Sequence, residues 1–66
     1  MDREQRIAYV NAQVVCANAE IQSMIVANKQ REAQGYSPAY NEEAFLSVPE
    51  KYGLTHNQII PYLVEE

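Results

Sequence analysis

Residues 7–24 read IAYVNAQVVCANAEIQSM, and this stretch decides the fold. Apolar side chains recur at Ile7, Val10, Val14, Ala17, Ile21 and Met24, at spacings that alternate three and four. That is a heptad seam on a helix, with β-branched residues at Ile7, Val14 and Ile21. A second stripe, Ala8, Ala12, Val15, Ala19 and Val26, runs beside it. From Asp2 to Gln34 there is neither proline nor glycine, and alanine, glutamine, glutamate and arginine, all good helix formers, are frequent. The seam turns polar at Asn28 and Arg31. Gly35 stands where a left-handed C-cap residue belongs, and Lys29 and Arg31 suit the negative end of the helix dipole. One long helix is therefore expected over about residues 3–34, roughly 50 Å in length.

The second half breaks into short pieces. Ser37-Pro38 starts a turn. Asn41 is a good N-cap, followed by Glu42 and Glu43 in the first turn, and Tyr40 and Phe45 have hydrophobic-staple spacing. A helix over about 41–52 follows, in which Pro49 forces a bend or a restart, and Gly53 closes it. Thr55 and Gln58 form a capping-box pattern, with Leu54 and Ile59 as its staple, so a further helix is expected over about 56–65. Ile59, Ile60, Leu63 and Val64 supply its buried face. Pro61 lies in its interior and should bend it or leave one carbonyl unpaired. No segment alternates with period two over a strand length. The expectation is an all-α single domain, residues 1–66, with one long helix and two short helices in a helical corner.

A chain of 66 residues buries a small core and is marginal alone unless something staples it. Disulfides are excluded, because Cys16 is the only cysteine, and that lone thiol fits a reducing, cytoplasmic setting. No Cys/His cluster offers a structural metal site, and no cofactor is expected. The staple left is self-association. Short tail helices fall short of covering two apolar stripes over the full long helix, and an uncovered strip marks an interface. A homo-oligomer is expected, with Ile7, Val10, Val14, Ala17, Ile21 and Met24 at its centre. The competing arrangement has the tail folding back along one stripe within the monomer.

Charge and motifs narrow the function. Wholly apolar runs are four residues or fewer, so no membrane span is expected. Four cations face three carboxylates over residues 1–31, but residues 32–66 hold six carboxylates against Lys51 alone. The stretch YGLTHNQII, residues 52–60, with Gly53, Leu54 and Ile59, resembles the turn and second helix of helix-turn-helix DNA readers. That resemblance implies a DNA-binding regulator. The acidic tail argues against it, because phosphate contacts need cations, and Pro49 stands where the motif has a small residue. His56, Cys16 and Ser47 are not placed together by any catalytic spacing, and there is no Gly-rich phosphate loop, so an enzyme is not expected.

The region after the long helix offers a candidate ligand site. Lys29, Arg31, Tyr36, Ser37 and Tyr40 combine cations, aromatic faces and a hydroxyl, which together would grip a nucleotide or another small anionic ligand. The competing reading has the tyrosines anchoring the loop. In general style, NKQREAQGYSPAYNEEAF, residues 28–45, resembles the short accessory proteins of tailed phages. That resemblance implies inhibition of a host enzyme or defence system, where an acidic surface occupies a basic cleft. The leading expectation is a small non-enzymatic interaction protein that self-associates and binds a protein partner. The alternative is an oligomeric binder that sequesters a small ligand.

Overall fold

The computed structural model describes residues 2–63. Among them the chain forms α1 (Arg3–Ala33), α2 (Glu42–Lys51) and α3 (His56–Leu63), with no strand. The all-α expectation holds. Val64, expected on the buried face of α3, and the Glu65-Glu66 pair lie outside the described residues.

Each helix begins and ends for a local reason. Asp2 caps α1: its Oδ1 accepts from the Gln5 N–H at 2.7 Å, and the Gln5 side chain accepts from the Asp2 N–H at 3.1 Å. This reciprocal pair satisfies two donors that a helix start would otherwise leave open. At the other end Gly35 takes φ +83°. The Tyr36 N–H then reaches the Arg31 carbonyl and the Gly35 N–H the Glu32 carbonyl, a Schellman closure. The same device ends α2. Gly53 takes φ +70°, with the Leu54 N–H on the Pro49 carbonyl and the Gly53 N–H on the Glu50 carbonyl. Asn41 caps α2 through its side chain to the Ala44 N–H at 2.9 Å. Pro49 neither ends nor restarts that helix but sits inside it, as Pro61 sits inside α3.

The start of α3 departs from a full capping box. The Gln58 side chain does accept from the Thr55 N–H at 3.2 Å. The Thr55 hydroxyl, however, donates to that same Gln58 Oε1 at 2.7 Å, and the Gln58 N–H goes to the Thr55 carbonyl. The hydroxyl thus fixes the side chain that caps the helix and leaves the backbone donor to a tighter turn.

The tail runs back along α1. Asn28 meets Tyr40, Glu20 meets Lys51, Gln13 meets the Tyr52 carbonyl and Tyr9 stacks on Tyr62, in that order toward the α1 N-terminus. Among the described residues Ala17, Met24 and Val48 are buried, and Ile21, Ala44, Phe45, Tyr52 and Leu54 pack around them. The molecule measures 53 × 18 × 9 Å between Cα extremes. It is one layer of helices, with α2 and α3 laid end to end beside α1. Its radius of gyration is 15.4 Å, whereas a compact domain of this length has about 11 Å.

Two expectations need correction. The seam is not bare at its centre, because Ala17 and Met24 are buried by the chain's own tail and Val10 and Ile21 are half-buried. Two short helices suffice because they lie end to end and share the length of α1. Ile7 and Val14 stay exposed. In α3 it is Ile59 and Tyr62 that turn inward, while Ile60 and Leu63 are exposed. The stack of Tyr62 on Tyr9, centroids 5.3 Å apart and rings 21° from parallel, sets that rotation.

Candidate interaction surfaces

The expected anion site does not assemble. Lys29 and Arg31 are two residues apart on α1, so their side chains leave it about 200° apart. They diverge instead of converging on one ligand. Arg31 is engaged by its own loop: its Nε donates to the Ser37 carbonyl at 2.8 Å, and its guanidinium sits 5.5 Å from the Tyr36 ring centroid. The Ser37 contact uses the backbone carbonyl, not the hydroxyl that the ligand reading needed. Tyr40 is held through its backbone, with the Asn28 Nδ2 donating to its carbonyl at 3.0 Å and the Asn28 Oδ1 accepting from its N–H at 2.9 Å. Arg31, Tyr36 and Ser37 thus form a clamp that fixes residues 34–41 onto α1. Lys29 stands on another side.

Tyr40 instead lines an open groove of about 420 Å³ between α1 and α2, together with Ser23, Met24, Ser47, Val48 and the Glu20–Lys51 pair. The Lys51 Nζ donates to Glu20 Oε1 at 2.6 Å, and the Tyr52 hydroxyl reaches the same oxygen at 3.4 Å. The Glu20 carboxylate, through this hydrogen bond first and its charge second, holds the Lys51 ammonium above its ordinary value. The Ser47 hydroxyl donates to the Ala44 carbonyl. The groove's cation is therefore neutralised within the chain, and a carboxylate stands beside it. Neither feature suits an anion.

Cys16 is exposed on α1, and His56 is exposed as the first residue of α3. Among the described residues no three His, Cys, Asp or Glu side chains come together as metal ligands would. No described helix is long and apolar enough to cross a membrane.

The outer side of α1 is apolar and exposed. Ala8, Ala12, Val15, Ala19 and Val26 are all exposed, Val15 at 69% and Val26 at 52%. Their helical positions lie roughly 160° around from Ala17 and Met24, so the tail covers one side of α1 and leaves this one to solvent. The molecule exposes 5149 Å², whereas a compact monomer of this mass exposes about 4,200 Å². No family model, curated protein or solved structure matches the chain.

Proposed function

We propose that this chain is a small, non-enzymatic helical interaction protein that self-associates through α1 and offers the acidic flank of its tail to a protein partner. The uncovered apolar side of α1 carries this reading. With three buried residues among those described, the chain has little core of its own, and a long helix with valines in water gains most from a second apolar face. Glu42, Glu43 and Glu50 are exposed on α2, and together they favour a basic partner surface. If the chain works as the short accessory proteins of tailed phages do, that partner is a host protein with a basic, nucleic-acid-binding cleft.

Light scattering across a dilution series from about 100 to 1 μM tests self-association. A mass above the monomer that falls on dilution, with a melting temperature that falls alongside, is the expected result. A strict monomer throughout overturns it.

A further inference from the structure

The outer side of α1 carries more than apolarity: its sequence favours one partner and one orientation. The exposed stripe reads Ala8, Ala12, Val15, Ala19, Gln22 and Val26, at steps of four and three. The valines and alanines are placed unevenly along it. Laid parallel on a second copy, Val15 would meet Val15, Val26 would meet Val26, and the alanines would face alanines across gaps. Laid antiparallel about a two-fold axis near the level of Ala17, Ala8 faces Val26, Val15 faces Ala19 and Ala12 faces Gln22. Each valine then meets an alanine, so large and small side chains interdigitate and the backbones approach closely.

The charges on the shoulder of the stripe agree. Glu4 and Lys29 lie within about 20° of each other around α1, on the same flank. Same-flank residues face each other across an antiparallel helix pair. The levels match as well, so Glu4 of one copy sits beside Lys29 of the other, twice in the dimer. The parallel pair would set like ends side by side, whereas the antiparallel pair also opposes the helix dipoles. The tails lie on the far sides, so neither obstructs the approach.

We propose that α1 pairs antiparallel with α1 of a second copy through Ala8, Ala12, Val15, Ala19, Gln22 and Val26, closing a two-fold dimer in which Glu4 and Lys29 pair across the axis. The proposal rests on the self-association reading above and adds the face and the direction. Two copies then make a flat sheet of helices with a tail on either edge, its acidic flanks facing outward.

The test combines mass with cross-linking. In a Cys16→Ser background, an Asn11→Cys chain is mixed with a size-tagged Gln22→Cys chain and treated with a bis-maleimide of about 8 Å reach. Antiparallel pairing puts these positions at nearly the same level on the same flank, and the mixed product is expected to dominate. Two Asn11 positions in that dimer lie roughly 18 Å apart along the axis, beyond the linker. A self-linked Asn11→Cys product in place of the mixed one overturns the orientation. A dimer by light scattering with neither product overturns the face but leaves self-association standing, and a monomer overturns both. Val15→Asp, at a position exposed in the monomer, should leave helicity intact and give a monomer; a retained dimer counts against the proposal. Glu4→Lys or Lys29→Glu alone should weaken the dimer about tenfold, and the two together should restore it. Additive losses in the double variant overturn the pairing of these charges.

Discussion

The Asn28 side chain holds the Tyr40 backbone at both of its polar groups, donating to the carbonyl at 3.0 Å and accepting from the N–H at 2.9 Å. An amide side chain here does what a neighbouring strand would do, and it does so where the chain reverses. Asn28 follows Ile21 and Met24 along the heptad seam, so a polar residue at a seam position has become the peg for the returning chain.

Replacing this peg is the first test of the turn. Asn28→Ala removes both hydrogen bonds, and Asn28→Asp keeps the acceptor but opposes a carboxylate to the Tyr40 carbonyl. Both groups are partly solvated, so a loss of about 1–2 kcal/mol is expected for alanine. Urea titration would read it, and protease cleavage within residues 34–41 should rise in both variants.

Glu20 and Lys51 give the fold an alkaline limb. The hydrogen bond and charge of Glu20 raise the Lys51 pKa above its ordinary value of 10.5. A raised folded-state pKa means that this contribution is complete below the unfolded value and is lost as pH climbs through the folded one. Melting temperatures from pH 9 to 12 should therefore fall more steeply for the native chain than for Lys51→Gln. Lys51 is well exposed, so the difference should also shrink in high salt.

Tyr62 and Ile59 fasten α3, since Ile60 and Leu63 face solvent. Tyr62→Ala should release that helix without unfolding α2. Hydrogen exchange is expected to accelerate across residues 56–63, with protection near Val48 little changed, and the near-ultraviolet tyrosine signal should drop. The overall cost should be near 1–2 kcal/mol, from lost stacking and lost area.

Gly53 turns the chain from α2 into α3 at φ +70°, and a Cβ there would meet nothing within 4 Å. The expected cost of Gly53→Ala is therefore conformational alone, about 1 kcal/mol. Gly53→Asn should cost less, because asparagine tolerates the left-handed region. A collapse of the fold in Gly53→Ala, seen by circular dichroism, would contradict this.

What could be read from the letters was what local chemistry decides. Gly35, Asn41 and Gly53 mark helix ends because a positive φ or a side-chain acceptor is needed there whatever the rest of the chain does. The Asp2/Gln5 pair carries the same kind of signal, an acid with glutamine three residues on, but it is absent from the reading of the sequence above. Which residues cover the seam was not legible. A heptad pattern states that Ala17 and Met24 meet apolar side chains, but it is silent on whether those belong to another molecule or to Val48 and Phe45 of the same one. The rotation of α3 is not written in its aliphatic pattern, because the inward residue Tyr62 is an aromatic whose stacking partner, Tyr9, is far away in sequence. The divergence of Lys29 from Arg31 follows from the helical repeat alone, and it was the one site error that arithmetic would have prevented.

Because the tail retraces α1 toward its beginning, residues 2 and 63 lie at the same end of the molecule, and the turn at Asn28 and Tyr40 lies near the other. A pull on those two ends would load the contacts in series. The Tyr9–Tyr62 stack would part first, then the Gln13–Tyr52 bond, then Glu20–Lys51, with the Asn28 peg last. Tension applied there would open the fold one fastening at a time, instead of shearing all of them at once.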